Sequence, residues 1–145
     1  MDTQDNPVRR ALGIDFGLRR IGLALGDTQS RLACPYDCLT GLSDADAVAR
    51  IARVVDEEAI NVIICGVPLN EDGSGGPQAK RTRQFADLLR VTVGDVEVLE
   101  INEFLTTFEA ESLLASGAFT SMQKKRRVDA IAAARILQGY FNSLI

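Results

Sequence analysis

Apolar residues recur along this chain with two periods, and the switches between them mark its elements. Residues 10–16 alternate loosely and predict a first strand. Gly17-Leu18-Arg19-Arg20 is a short turn, and Ile21-Gly22-Leu23-Ala24-Leu25-Gly26 returns as a second strand, so the two form a hairpin. Residues 32–39 supply a third strand, interrupted near Pro35. A proline cannot donate to a ladder, which puts this strand at an edge. Ser43-Asp44-Ala45-Asp46 resembles a capping box, and Ala45, Val48, Ala52 and Val55 keep helical spacing to about Glu58. Asn61-Val62-Ile63-Ile64-Cys65 is apolar after its first residue, the pattern of a strand covered on both faces. A Gly-rich loop from Gly66 to Pro77 leads into a helix over 78–90 that turns Phe85, Leu88 and Leu89 inward. Residues 96–101 read as another strand. Thr106 or Thr107 caps a helix to about Ser116, closed by Gly117, and a last helix spans 127–142. A meander followed by two β-α units predicts one α/β domain over 10–145, a mixed sheet with helices against it. Residues 1–9 read as a short disordered lead.

The chain has 145 residues, enough for one full core. No apolar run approaches the roughly twenty residues of a membrane helix. The polar stretch Met1–Pro7 lacks the apolar segment of a signal peptide, so the expected location is the cytoplasm. Cys34, Cys38 and Cys65 are odd in number, and the first two lack the spacing of a metal knuckle. They read as reduced, mostly buried thiols. The chain has no histidine. That removes Ser-His-Asp and Cys-His triads, histidine general bases and histidine-ligated zinc. Carboxylate, lysine, hydroxyl and metal chemistry remain. The net charge of −4 argues mildly against a nucleic-acid binder. The basic residues are clustered, however: Arg19-Arg20, Lys80-Arg81 with Arg83, and Lys124-Lys125-Arg126-Arg127. Net charge is not local potential.

Three isolated acids then stand out. Asp15 lies inside Gly13-Ile14-Asp15-Phe16-Gly17, in a run that otherwise reads as a buried strand. A carboxylate there costs roughly several kcal/mol of desolvation unless a cation meets it. Glu103 lies just past a strand's C-terminal end, where open α/β sheets place their ligands. Asp129 opens an alanine-rich helix, and those alanines allow close packing on the sheet. Each acid also has a plain structural reading. Asp15 could bond backbone amides, a glutamate at a strand–helix junction is ordinary, and an acid in a helix's first turn suits the macrodipole. Together, the three suggest a site that holds a hard divalent cation through oxygen ligands. The Gly66–Pro77 loop with Lys80, Arg81 and Arg83 suits contact with phosphate, although no Gly-Lys-Ser/Thr follows to make a Walker loop. The basic run at 124–127 could draw phosphate towards Asp129.

The chain resembles the YqgF family, within the RNase H-like superfamily that includes RuvC-type Holliday junction resolvases. The resemblance runs from about residue 10 to residue 142. It rests on Gly13-Ile14-Asp15-Phe16-Gly17 with Arg20-Ile21-Gly22-Leu23-Ala24 and Asp27, and on Gly66-Val67-Pro68-Leu69-Asn70 with Gly73 and Gly76-Pro77-Gln78. Phe85-Ala86, Glu103 with Leu105-Thr106-Thr107 and Ala110, and Val128-Asp129 with Ala132-Ala133 and Ile136-Leu137 complete it. It implies an RNase H-like fold with a five-stranded mixed sheet in the order 3-2-1-4-5, strand 2 antiparallel. It also implies a nuclease in which Asp15, Glu103 and Asp129 are catalytic and hold Mg²⁺ or Mn²⁺. The implied substrates are the 5′ end of the small-subunit rRNA precursor or branched DNA. Arg20, Lys80, Arg83, Lys124 and Lys125 are the expected phosphate contacts, and the protein is expected to be a monomer or homodimer. One departure stands out: the family commonly reads Asp-Glu-Arg where this chain has Asn102-Glu103-Phe104. An aromatic ring can stack on a base but cannot neutralise charge. That leaves room for a weakened enzyme, or for a binding factor in ribosome assembly or transcription. Asp15-Phe16-Gly17 in a hairpin also resembles the sugar-kinase and actin-like fold, although the chain is short for a second lobe.

Overall fold

In the computed structural model the described residues are 7–70, 72–103 and 121–144, with the backbone alone described over 121–127. Five strands form one sheet: β1 (Arg10–Phe16), β2 (Arg20–Asp27), β3 (Cys34–Thr40), β4 (Val62–Val67) and β5 (Glu97–Asn102). The helices are α1 (Asp44–Glu57), α2 (Pro77–Val93) and α3 (Ser121–Asn142). The sheet order is β3-β2-β1-β4-β5. β2 runs antiparallel to β1 and β3, while β1, β4 and β5 are parallel. The expected fold is therefore the observed one. β3 lies at the edge, as its proline requires, and its pairing with β2 slips between Leu23 and Ala24.

The two-residue alternation of β1, β2 and β4 sorts their side chains onto two unlike faces. Leu12, Ile14, Ile21, Leu23, Ile63 and Cys65 pack with Val48, Ile51, Val55, Phe85 and Leu89 of α1 and α2. Each large side chain so buried stabilises the fold by about 1.5–3 kcal/mol. The opposite face carries the small residues Ala11, Gly13, Gly22, Ala24 and Gly66 beside Val62 and Ile64, and receives only α3 among the described helices. A Cβ on Gly13 would lie 2.8 Å from the Ala133 carbonyl oxygen, and one on Gly22 would overlap the Asp129 carbonyl. Bare backbone on the sheet lets α3 press directly onto it through Ala133, Leu137 and Phe141.

Several sequence expectations need amendment. Ser43 caps α1 as expected, its Oγ accepting from the Asp46 amide at 3.2 Å. α3 starts at Ser121 rather than 127, so Lys124-Lys125-Arg126-Arg127 is helical and Asp129 lies beyond the first turn. The macrodipole, which fades within that turn, does not account for Asp129. Leu88 is 39% exposed, not inward. Thr82, Phe85, Ala86 and Leu89 define the buried stripe of α2, and Leu88 lies roughly 120° away from it at 100° per residue. The Gly66–Pro77 loop is partly a tight hairpin, bridged between Leu69 and Gly75, with the Asn70 amide donating to the Ser74 carbonyl at 2.7 Å. Gly76 caps α2 and Pro77 begins it. Of the expected lead, residues 1–6 lie outside the described residues, whereas Arg9 is tied to Thr28 and to Glu97. The helix expected from Thr106 or Thr107 to Ser116 also lies outside the described residues. Among the described residues no helix is long and apolar enough to cross a membrane.

Gly22→Ala should unseat α3 and cost roughly 1–3 kcal/mol or more. Gly76→Ala, where nothing lies within 4 Å, should stay close to wild type. Urea denaturation of both variants checks this, and equal midpoints would refute the close-approach account.

Candidate active site

Asp15 sits near the C-terminal end of β1 and, like Gly13, faces α3 rather than the large core. Its neighbour in register on β2 is Gly22. On the other side, Ile14 pairs with Cys65, so Gly66 of β4 lies beside Asp15. Glu103 follows β5 immediately, and alternation from Leu99 and Ile101 brings it onto the same face. A Cβ on Gly66 would stand 3.2 Å from the Glu103 Cβ. Glycine on the intervening strand therefore leaves the two carboxyls free to meet. Asp129 enters from above, because α3 rests its backbone on Gly22.

The electrostatics record this convergence. Asp15 is pushed up to about 7, first by burial, then by the charges of Glu103 and Asp129 and by its hydrogen bond with Glu103; Arg135 pulls the other way. Glu103 is also raised by burial, while the Asp15 bond lowers it. The two carboxyls are hydrogen-bonded to each other, and that bond favours the protonated form of Asp15 and the ionised form of Glu103. Arg20 Nε lies 3.2 Å from Asp129 Oδ2. The Cys38 thiol donates to the same oxygen at 3.5 Å and is held neutral, its pKa raised to about 11 by burial and by Asp129. Among the described residues no three His, Cys, Asp or Glu side chains are grouped so as to hold an ion. The donor set nonetheless fits a hard divalent cation. It offers carboxylate oxygens alone, concentrated in a partly dry site that already draws in a proton and a guanidinium to offset their charge.

The basic residues divide. Arg20 is at the site. Arg83 bonds Glu100 at 3.0 Å, a carboxylate also held by Arg90, on the α2 side of the sheet. Lys80 is exposed on α2. Lys124 and Lys125 lie on the helical backbone of α3 ahead of Asp129, and their side chains, like Phe104, fall outside the description. Sequence reasoning missed Arg135, whose only signal was a lone charge within Ala130–Leu137. It also passed over Cys38 as a plain buried thiol, and it placed Arg81 only among the phosphate contacts that follow the Gly66–Pro77 loop. Arg81 borders a cleft of about 450 Å³ between the β1–β2 turn and the start of α2, with Glu103 at its edge.

A family model described as RuvX, Holliday junction resolvase, matches residues 9–143. The chain belongs to this family, also called YqgF. A protein of Acetivibrio thermocellus named "Putative pre-16S rRNA nuclease" is 38% identical over 135 residues, covering 92% of this chain and 96% of that protein. One of the same name from Anaeromyxobacter sp. (strain Fw109-5) is 42% identical over 134 residues, with 92% and 96% covered. Among solved structures, T. thermophilus RuvC in complex with a Holliday junction substrate aligns with a TM-score of 0.59 at 14% identity, covering 94% of this chain and 95% of that one. The Fowlpox virus resolvase with its junction DNA gives 0.57 at 14% identity, covering 94% and 99%. At these identities the two structures establish the shared RNase H-like fold.

Asp15 ionises near its ordinary 3.8 in the unfolded chain and near 7 in the folded one. The stability its protonated form contributes is complete below about pH 4 and drains away as pH rises through 7, a loss on the order of 4 kcal/mol. In chelator, Asp15→Asn should flatten this decline and melt above wild type at pH 8. Parallel pH dependences of the two proteins' unfolding midpoints would count against the convergence.

Proposed function

We propose that this nuclease hydrolyses phosphodiester bonds in structured nucleic acid with Mg²⁺ or Mn²⁺, and that its substrate is the 5′ end of the pre-16S rRNA in the cytoplasm. The observation that carries the reading is the placement of Asp15 between Gly22 and Gly66, where α3 rests the Asp129 backbone on one glycine and Glu103 approaches the other. Asp15, Glu103 and Asp129 are the residues that would hold the cation. A bound divalent ion supplies Lewis acidity, activating water and stabilising charge on the leaving oxygen. The chain's own residues set the stage. Ionised, with its proton passed to solvent water, Asp15 would be ready to take a cation with Glu103, and Arg20 would leave Asp129 to meet a substrate phosphate. Lys80, Lys124 and Lys125 attract the nucleic-acid backbone. Arg83, already engaged by Glu100, contributes less.

Ribosomal precursor RNA is favoured by the names of relatives aligned over almost their whole length. A four-way DNA junction is the second reading, supported by the family's description as a resolvase. A homodimer would suit its two-fold symmetry; a monomer suffices for an RNA end.

Purified protein should cleave 5′-extended pre-16S fragments in Mn²⁺, with four-way junctions and plain single strands assayed beside them. Asp15→Asn, Glu103→Gln and Asp129→Asn should each lower cleavage by roughly a hundredfold or more, the scale of several kcal/mol of lost charge stabilisation. Wild-type cleavage by Asp15→Asn would overturn the assignment. Binding without cleavage of any substrate would make the protein an assembly factor.

A further inference from the structure

The cleft beside the acids has walls that the phosphodiester chemistry does not use. Its volume of about 450 Å³ falls within the roughly 300–1,000 Å³ of small-ligand sites. Pro68 and Pro77 give it apolar walls, and Leu18 stands at its mouth. Leu18 is 75% exposed at the tip of the β1–β2 turn, so the core does not explain its apolar character. One wall is a fixed plane. Arg81 Nη1 and Nη2 engage both oxygens of Asp44, at 2.8 and 2.9 Å, a bidentate fork that fixes the guanidinium's orientation. That guanidinium lies over the Phe16 ring at 5.2 Å, and Phe16 is stacked on Phe85 at 4.5 Å. Glu103 belongs both to this cleft and to the acid set.

We infer that this cleft is a nucleobase subsite, which takes one unpaired base next to the scissile phosphate. The inference rests on the nuclease reading for the placement of that phosphate. A planar, apolar-faced group with polar edges suits these walls: a held guanidinium to stack on, proline and leucine surfaces, and the Gln78 amide, which both donates and accepts. Continuity through Glu103 selects a nucleotide as the occupant, because a strand laid across the acids passes the cleft's mouth. A base inside a duplex cannot enter, so the subsite would favour cuts beside an unpaired or extruded nucleotide.

The test reads binding apart from cleavage. Oligonucleotides carrying 2-aminopurine at successive positions of an unpaired arm are titrated with the full chain in chelator. Emission should rise at least twofold at one position as that base leaves its neighbours. Leu18→Ser, at an exposed site that spares the core, should abolish most of that rise and weaken binding about tenfold, within the range of one stacked base. On the same arm made abasic at that position, Leu18→Ser and wild type should bind alike. Unchanged emission at every position overturns the inference, as does equal weakening of Leu18→Ser on intact and abasic arms. A dimer that Leu18→Ser dissociates would make the cleft a contact between copies instead. An emission rise with no cleavage in Mn²⁺ would leave the subsite standing while the nuclease reading fails. The absence of any nucleic-acid binding would remove both.

Discussion

Asp15 is a carboxylate on a central strand, and the strands on either side of it carry glycine, Gly22 and Gly66, at its level. Much of the molecule's arrangement follows from those two missing side chains. At Gly22 the gap admits the backbone of α3 and delivers Asp129; at Gly66 it opens the space in which Glu103 reaches Asp15. A sheet with ordinary residues there would hold α3 further away and keep its acids apart. The row of small residues is thus a packing device with an electrostatic consequence. It gathers negative charge where water is scarce, and such charge is tolerated only with a counter-charge present.

Two kinds of counter-charge are visible. Burial and the neighbouring acids favour protonation of Asp15, and Arg20 stands on Asp129 with Arg135 acting on Asp15. Both are exchangeable. Asp15 titrates near neutrality, and Arg20 is half exposed at the start of β2. The larger hydrophobic cluster lies on the other face of the sheet, where α1 and α2 cover large apolar side chains and no charged residue is buried among those described. That division lets one face carry an unfavourable cluster without threatening the whole, since functional sites routinely store strain that the scaffold offsets.

The proposed nucleic-acid site is organised around the same strand ends. Glu103 joins the acid cluster to a cleft whose Arg81 plane is fixed by Asp44 and backed by Phe16 and Phe85. Phosphate chemistry and recognition of an unpaired base would then be adjacent on one scaffold. Such adjacency would let an acidic protein, of net charge −4, choose among substrates by shape rather than by bulk charge.

Strand alternation, turn residues and the continuous apolar run at 62–65 were legible in the sequence, because local periodicity reports which face of an element is covered. The three acids were legible too, since charge inside an apolar pattern is conspicuous. The start of α3 was not, because its polar first turns carry no apolar stripe to announce a helix. Nor was Leu88's outward position, which depends on where the α2 stripe centres. The sequence by itself determined which residues could bear charge and which strands they belonged to. Only the tertiary structure decided that Asp15 and Glu103 are hydrogen-bonded, that Arg20 and Cys38 meet at Asp129, and that Arg81 lies over the Phe16 ring. Those contacts join residues tens of positions apart, and their distances are set by sheet register and helix docking rather than by any local preference.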